Sequence, residues 1–257
     1  MGIYTTEITS DKISSDNPIH QRLLKAYTIA EEFISGDLLE IGCGEGRGVE
    51  LLAPKAKSYT AIDKIGDVIT QLSGSYPNHR FIQANIPPIS FLDDNSFDVI
   101  TTFQVIEHIK DDKTFLKEIK RILKPGGKAL ISTPNIKLSL SRNPWHIREY
   151  TAQQLTDLCK AHFSVVEMKG VNGSEKVMGY HEMNRQSVQK IMKWDFLNLQ
   201  YRLPAPVLRI PYEILNRLNR NKLQGNDSDL VMSITQDDYF LDDDADKSLD
   251  LFVIVQK

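Results

Sequence analysis

The sequence predicts an α/β fold built on a doubly wound parallel sheet. Segments of strand-like periodicity alternate with segments of helical periodicity, which is the pattern of parallel strands joined by crossover helices. The strand-like run 38–41 leads directly into a glycine-dense turn, the usual place for a ligand in such a sheet. With 257 residues, 41% of them hydrophobic and 25% charged, the chain can bury the core of one such domain and a small appendage.

Strands are predicted from short runs of β-branched and aromatic residues that lie between turn signals. They span residues 38–41, 59–63, 80–84, 97–103, 129–135, 163–168 and 249–255. Helices are predicted where apolar residues recur at helical spacing behind a capping residue. They span residues 18–35, 46–52, 112–123 and 151–161.

The turn after the first strand has the spacing Gly-x-Gly-x-Gly. Gly42, Gly44 and Gly46 stand at alternate positions, which lets the backbone turn sharply and approach a ligand closely. A dinucleotide fingerprint starting at Gly42 would need its last glycine at Arg47, and one starting at Gly44 would need it at Val49. The spacing therefore argues against NAD or FAD.

An acidic residue follows this turn at the distance expected of a nucleotide site. Asp63 ends the second strand about 20 residues further on, where a carboxylate hydrogen-bonds ribose hydroxyls. The fourth strand delivers Phe103 and Gln104 to the same edge of the sheet, where open α/β sheets place their ligands. Together these positions predict a ligand that carries a free ribose.

At this point the sequence resembles the class I S-adenosylmethionine-dependent methyltransferases, in particular the small-molecule, type 11-like members. Their first motif has the form acid-x-Gly-x-Gly-x-Gly, which Glu40 and the three glycines match. The segment 97–108 resembles the family's fourth strand with its turn, and 123–127 and 129–135 resemble its fifth strand. The resemblance covers about residues 37–169 and the last strand.

The resemblance implies S-adenosyl-L-methionine as cofactor and a seven-stranded Rossmann-like sheet whose last strand is antiparallel. It also implies the domain organisation. Residues 1–36 form a helical segment over the cofactor site, and residues 37–169 with 248–257 form the core. Residues 170–247 form a helical insertion or lid before the last strand.

The family's cofactor contacts carry over to twelve positions. Asn85 stands where the family usually has an aspartate that accepts from the adenine amino group, and its amide oxygen can accept the same bond. The N–H of Ile86 can donate to a ring nitrogen, and Ile65 is placed to pack on the adenine face. The full set is Glu40, Gly42, Cys43, Gly44, Gly46, Asp63, Lys64, Ile65, Asn85, Ile86, Phe103 and Gln104.

The segment 142–151 concentrates reactive side chains in a loop at the functional edge of the sheet. His146 is the candidate general base, because imidazole titrates near neutral pH, and Glu149 is placed to orient it or to stabilise its charged form. His108, in the turn after the fourth strand, is a second catalytic candidate. A capping cluster around His146 and a backbone contact of His108 are the structural alternatives.

A divalent metal is the alternative chemistry at the same place. In the methyltransferases that modify the terminal 2′-hydroxyl of small RNAs, the corresponding turn carries Glu-x-x-Glu-His, and a later histidine completes a metal site. Glu107, His108 and His146 match three of these positions. The fourth is Gln104, a weaker ligand for a hard cation, and we therefore assign no metal.

The insertion divides by charge. Residues 185–222 hold eight Lys or Arg against two acids, a net +6, whereas residues 227–250 hold nine Asp against Lys247, a net −8. The two halves have the charge to pair with each other. The basic half is also rich in apolar residues and broken by prolines, which predicts two short amphipathic helices. Its alternative roles are a packed lid over the acceptor pocket, a surface at 190–222 that contacts lipid, and a homodimer contact.

Composition limits the remaining function classes. A net charge of −3 gives no global basic field for nucleic acid. Only Cys43 and Cys159 occur, so there is no disulfide framework and we expect a reducing compartment. No apolar run reaches the roughly 18 residues of a membrane span, and the amino terminus lacks the order of a signal peptide. We expect a cytoplasmic protein without a transmembrane segment.

The function predicted is methyl transfer from S-adenosyl-L-methionine to a small or lipid-like acceptor, at an oxygen atom. The first alternative is a metal-assisted RNA 2′-O-methyltransferase. The second is a cofactor-binding regulator without turnover. The cluster from His146 to Glu149 favours catalysis over the regulator, because a binding protein has no need of a general base.

Overall fold

The structure is a computed structural model that describes residues 13–195 and 197–257. Residues 1–12 of the predicted N-terminal unit lie outside the described residues. The strands are β1 (Asp37–Ile41), β2 (Ser58–Asp63), β3 (Arg80–Gln83), β4 (Phe97–Phe103), β5 (Leu123–Pro134), β6 (Val165–Gly173), β7 (Tyr239–Asp242) and β8 (Asp250–Gln256). The helices are α1 (Asn17–Ala30), α2 (Val49–Leu52), α3 (Gly66–Ser75), α4 (Asp112–Ile122), α5 (Ala152–Lys160), α6 (Glu175–Met192), α7 (Leu199–Arg202), α8 (Ala205–Asn226) and α9 (Ser228–Ser233).

The strands of the described chain form one sheet in the order β3-β2-β1-β4-β5-β8-β6-β7. The first five strands pair in parallel, whereas β8 runs antiparallel to both β5 and β6. The strand order reverses between β1 and β4, which creates the switch point where such sheets bind their ligands. The predicted doubly wound sheet with an antiparallel last strand is confirmed.

The predicted count of seven strands is wrong by one, since the described sheet has eight. The additional strand, β7, pairs antiparallel with Gly170–Gly173, the part of β6 that continues beyond the predicted end at residue 168. Asn172 Nδ2 also donates to Asp242 Oδ2 at 2.8 Å. A four-residue edge strand within an aspartate-rich segment shows no alternation of polar and apolar residues that would predict it. It forms because β6 offers a free edge.

The helix predicted over 46–52 is also shorter than expected. Only Val49–Leu52 is α-helical, and the preceding residues form turns in which Val49 N donates to Gly46 O at 3.0 Å. Gly42, Gly44 and Gly46 all have positive φ angles, of 81°, 49° and 86°. A right-handed helix cannot pass through such residues, so it begins only after the last of them.

Apolar side chains cover both faces of the sheet. On one face, Leu38 of β1 belongs to a buried cluster with Ala30 of α1 and Leu52 of α2. On the other face, Leu39 belongs to a second cluster with Phe115 of α4 and Leu155 of α5. Adjacent residues of β1 therefore enter different cores, as expected for a strand buried on both sides.

The insertion packs against the α1 side of the sheet. Its longest helix, α8, is continuous over 22 residues with Pro211 inside it, so the expectation of two short helices is wrong for this part. Arg217 and Arg220 donate to the fully buried carboxylate of Asp16, at 2.9 and 3.1 Å. The basic half is thus anchored to the N-terminal segment.

The two charged halves of the insertion do not pair with each other among the described residues. The acidic half forms ion pairs with lysines elsewhere, such as Lys176 with Asp238 at 2.7 Å and Lys169 with Asp243 at 2.6 Å. The acidic residues lie around β7 and its flanking turns, where the lysines of β6 and α6 are the near neighbours. In the described part of the chain, no helix combines the length and the apolarity needed to cross a bilayer.

Candidate functional site

A cavity of about 560 Å³ opens at the carboxyl ends of the parallel strands. Its floor contains the ends of β1, β2 and β4, and its walls come from α1, α6 and α8. This is the switch point of the strand order, where open α/β sheets bind ligands. The sequence-predicted catalytic and cofactor residues that line it are described in turn.

The glycine turn forms one wall of the cavity. Gly42 N donates to Ile62 O at 2.8 Å, which folds the turn back onto β2. A Cβ on Gly42 would collide with Val105, and a Cβ on Gly46 would collide with Leu72. A Cβ on Gly44 would meet nothing within 4 Å, because this residue faces the cavity. The turn therefore presents bare backbone to a ligand and fits the cofactor that the sequence predicts.

Asp63 links the end of β2 to this turn. Its Oδ2 accepts from Gly44 N at 2.9 Å and its Oδ1 from Ile65 N at 3.0 Å. Each carboxylate oxygen can accept a further hydrogen bond, and the residue lines the cavity. The arrangement leaves Asp63 able to accept from ribose hydroxyls while the backbone holds its orientation.

Glu40 lies behind the turn and outside the cavity lining. Its buried carboxylate accepts from Tyr27 at 2.8 Å and from Tyr59. Burial raises the pKa of Glu40 to about 7, against the lowering effect of the two tyrosine hydrogen bonds. A Cβ on Gly48 would collide with the same carboxylate. In this geometry the Glu40 carboxylate packs against the backbone of Gly48, behind the turn.

Most other predicted cofactor residues line the cavity directly: Cys43, Lys64, Ile65, Asn85, Ile86, Phe103 and Gln104. Burial lowers the pKa of Lys64 and raises that of Cys43. Gln104 has a φ of 57° at the end of β4, and its N–H donates to Ser132 O at 2.9 Å. A non-glycine residue held at positive φ is unusual and often belongs to a ligand site.

His146 is held on both sides by polar groups at the cavity wall. Its Nδ1 lies 2.7 Å from Glu149 Oε1, and its Nε2 lies 2.9 Å from Asn143 Nδ2. Asn143 Oδ1 accepts from Trp145 N at 3.0 Å, which identifies the group facing His146 as the amide N–H₂. Nε2 of His146 is therefore the acceptor nitrogen, and Nδ1 carries the proton that Glu149 receives as a hydrogen bond.

Glu107 and His108 adjoin this pair. Candidate ligand atoms of Glu107, His108 and His146 all lie within 4.8 Å of one another. Burial raises the pKa of Glu107 to about 7. Its Oε2 accepts from Thr133 at 3.0 Å, and its buried Oε1 has no hydrogen-bond partner among the described residues. His108 Nδ1 lies 2.9 Å from Trp145 O, so Nδ1 carries the proton and Nε2 is the acceptor.

The insertion is joined to the loop that carries His146. The guanidinium of Arg209 lies over the ring of Trp145, 4.2 Å from its centroid. Trp145 Nε1 donates to Glu213 Oε1 at 2.8 Å, and Arg142 donates to Gln200 O at 2.6 Å. The loop and α8 therefore form one wall.

The sequence predicted that the insertion could form a lid over the acceptor pocket, but it did not identify most of the residues that line the cavity. The insertion contributes Val177, Tyr180, His181, Asn184, Val188, Tyr212, Asn216, Asn219 and Arg220. Burial lowers the pKa of His181 to about 4, with a further lowering by Arg22. No local motif identifies these residues, because only the packing of α6 and α8 decides which of their sides faces the site. Asn143 was likewise missed, although its spacing of three residues from His146 was visible.

Comparison with known proteins gives one consistent result. A family model described as a methyltransferase domain matches residues 39–131, the part that holds the glycine turn, Asp63 and the turn of Glu107 and His108. A probable S-adenosylmethionine-dependent methyltransferase from Mycolicibacterium smegmatis is 37% identical over 174 residues, which cover 65% of this chain and 67% of that protein.

More distant similarities extend to other methyltransferases. A ubiquinone biosynthesis O-methyltransferase from Idiomarina loihiensis is 29% identical over 125 residues, covering 46% of this chain and 50% of that protein. The chain thus spans between half and two thirds of the length of these relatives. A crystal structure of a SAM-dependent methyltransferase from Archaeoglobus fulgidus has a TM-score of 0.55 at 17% identity, covering 94% of each chain. This last likeness shows the fold.

Proposed function

The chain belongs to the class I S-adenosylmethionine-dependent methyltransferases, and on that premise we propose that it methylates a hydroxyl oxygen of a small or amphiphilic acceptor. The observation that carries the proposal is the pair formed by His146 and Glu149 at the wall of the cavity. Transfer to a hydroxyl needs removal of a proton, and a histidine oriented by a carboxylate is suited to remove it.

The chain's own groups fit the cofactor. Gly44 presents open backbone and Asp63 accepts from the ribose, whereas Asn85 and Ile86 are available to the adenine. When bound, S-adenosyl-L-methionine supplies a methyl group activated by a positively charged sulfonium. The remaining task of the protein is to position the acceptor and to take up its proton.

His146 is placed to take that proton. Nε2 accepts a hydrogen bond from the Asn143 amide, and an acceptor hydroxyl that takes the place of this amide would donate to the same nitrogen. The proton of the hydroxyl then moves to Nε2, and Glu149 stabilises the imidazolium through its contact with Nδ1. Ser139 donates to the other oxygen of Glu149 and so holds the carboxylate in place.

The cavity lining supports an acceptor with both polar and apolar parts. Ile19, Leu23, Leu138 and Val188 offer apolar surface, and Asn184, Asn216 and Tyr212 offer hydrogen-bonding groups. The similarity to ubiquinone biosynthesis O-methyltransferases supports oxygen as the acceptor atom.

The proposal is tested by incubating the protein with labelled S-adenosyl-L-methionine and a panel of acceptors. The panel includes long-chain phenols, catechols and hydroxylated lipids, with matched amines and thiols as controls. We expect label in hydroxyl acceptors, and mass spectrometry of the product to place the new methyl on oxygen. Transfer to the amines or thiols alone would contradict the proposal.

A metal-assisted reaction is a second candidate, favoured by the proximity of Glu107, His108 and His146. Glu107 Oε1 lacks a hydrogen-bond partner among the described residues. Nδ1 of each histidine contacts an acceptor, Glu149 or the carbonyl of Trp145, as the second nitrogen of a ligating imidazole usually does. These three residues would hold a divalent cation, which would act as a Lewis acid on an acceptor hydroxyl. We rank it second because Gln104 supplies no carboxylate.

A further inference from the structure

The helix α8 carries most of its large apolar side chains on the side that faces solvent. Val207, Ile210, Ile214 and Leu218 recur at spacings of three and four residues and are between 55 and 67% exposed. Such spacing places them along one side of a helix. A helix that packs on a protein core normally shows the reverse arrangement, with apolar residues inside and polar residues outside.

The opposite side of α8 faces inward and is mostly polar, with Leu223 as its buried apolar residue. Tyr212, Asn216, Asn219 and Arg220 line the cavity, and Arg217 is bonded to the buried Asp16. Contacts with Asp16 and with Trp145 therefore fix which side of the helix is turned outward. The apolar side cannot be buried by a rotation of the helix without breaking these contacts.

The segment before α8 adds to the same kind of surface. Trp194 is 85% exposed, and Leu197, Leu199 and Tyr201 are also exposed. Of fifteen large exposed apolar residues in the described chain, nine lie between residues 194 and 218. Monomeric proteins in water expose such residues singly, and a concentration of them marks an interaction surface. Exposed Trp and Tyr are typical of residues that lie at a membrane–water boundary.

The charges around this surface indicate which kind of partner binds to it. Lys190, Lys193, Arg202 and Lys222 form no salt bridge with any described residue, as the ion pairs of the region involve only other side chains. Segment 190–222 holds seven Lys or Arg against Asp195 and Glu213. Apolar residues flanked by unpaired cations complement a bilayer with anionic headgroups. A second copy of the chain would bring two sets of like charges together.

We propose that α8 and residues 190–195 and 197–203 dock the protein on the surface of an anionic lipid bilayer. The helix lies in the interface, with Ile210, Ile214 and Leu218 in the lipid and the flanking cations at the headgroups. Because the other side of α8 lines the cavity, docking places the cavity beside the lipid surface. This second step rests on the proposed function, since it supplies an amphiphilic acceptor directly from the bilayer.

Vesicle sedimentation with the full chain tests the surface without cofactor or acceptor. We expect binding to vesicles of 70% phosphatidylcholine and 30% phosphatidylglycerol, weakened by high salt and by omission of phosphatidylglycerol. The variant Ile214→Ser/Leu218→Ser should bind at least tenfold more weakly. The variant Phe91→Ser/Val165→Ser replaces two exposed apolar residues outside this surface and should bind as the wild type does.

Charge is tested separately by Lys190→Glu/Lys193→Glu, which should lower binding to the anionic vesicles about fivefold or more and leave binding to neutral vesicles unchanged. Melting temperature and cofactor affinity should be the same in all variants, because the replaced side chains are exposed. Absence of wild-type binding to anionic vesicles would overturn the proposal. So would a dimer in analytical ultracentrifugation that the Ile214→Ser/Leu218→Ser variant dissociates. Vesicle binding without transfer to any hydroxyl acceptor would refute the proposed function alone.

Discussion

Glu149 holds His146 through a contact of 2.7 Å between Oε1 and Nδ1. Both side chains are largely shielded from water, with exposed fractions of 11 and 10%. In such surroundings a carboxylate stabilises an imidazolium more strongly than it would at the surface. The pair leaves Nε2 of His146 as the acceptor nitrogen at the cavity wall, as the proposed role of a general base requires.

Replacement of His146 by alanine should lower turnover by about 10²–10⁴-fold, the usual contribution of a positioned base. Cofactor affinity and melting temperature should remain close to those of the wild type, because His146 lies in the loop 142–149 and not in the glycine turn. Steady-state kinetics, calorimetry and thermal unfolding on the same preparation check these three quantities. His162→Ala, at a half-buried histidine outside the cavity, is the control. Full activity of a normally folded His146→Ala protein would remove the catalytic assignment.

Replacement of Asp63 by alanine should weaken binding of S-adenosyl-L-methionine by about 1.5–3 kcal/mol, or roughly 10- to 150-fold in Kd. The loss combines the ribose hydrogen bonds with the support that Asp63 gives to Gly44 N. Titration calorimetry measures it, and Asp67→Ala in the exposed first turn of α3 is the matched control. Equal affinity in the two variants would disprove the ribose role.

Turnover should survive treatment with a chelator such as EDTA. The reason is that Gln104 stands where the metal-dependent relatives carry a carboxylate, and an amide is a weaker ligand for a hard cation. Activity is measured before and after dialysis against the chelator, and again after addition of magnesium or manganese. Loss of activity that either metal restores would establish the second candidate function, and Glu107→Gln would then abolish the restoration.

Stability should depend on pH through Glu40. Its folded pKa of about 7 lies above the ordinary value of 4.5, so the folded protein keeps a proton that the unfolded chain releases between these values. The free energy of unfolding should therefore fall as pH rises from about 5 to 7, by up to about 3 kcal/mol from this group. Urea unfolding at several pH values measures the slope.

In the variant Glu40→Gln, the amide keeps a partner for Tyr27 and Tyr59 and does not titrate, so the slope should become shallower. Glu32→Gln, at an exposed carboxylate, should leave the slope unchanged. A Glu40→Gln protein with the wild-type slope would show that this carboxyl is ionised throughout the range, and that the tyrosine hydrogen bonds outweigh its burial.

The cofactor half of the site could be predicted from sequence because its residues are tied to local structure. Gly42, Gly44 and Asp63 lie at the carboxyl ends of parallel strands. These ends meet at one edge of the sheet regardless of the conformations of the loops. The loop of His146 and Glu149 follows β5 and reaches the same edge for the same reason. In each case a short motif and a topological rule are sufficient.

Other features depended on contacts between distant parts of the chain. Glu40 has a motif position in the first strand, but only packing showed its carboxylate between Tyr27 and Tyr59. The strand β7 exists because β6 offers it an edge. Asn143 was visible three residues before His146, yet its role depended on the fold of the loop.

By itself, the sequence determined the class of fold, the cofactor turn and the amphipathic character of residues 190–222. The tertiary structure alone decided that the apolar side of α8 faces outward. That choice follows from Asp16, which is buried and accepts from Arg217 at a separation of 201 residues along the chain. An unpaired buried carboxylate would be costly, so this ion pair sets the rotation of the helix. Hydrophobic periodicity alone predicts that a helix has a polar and an apolar face, but it does not say which face packs against the core.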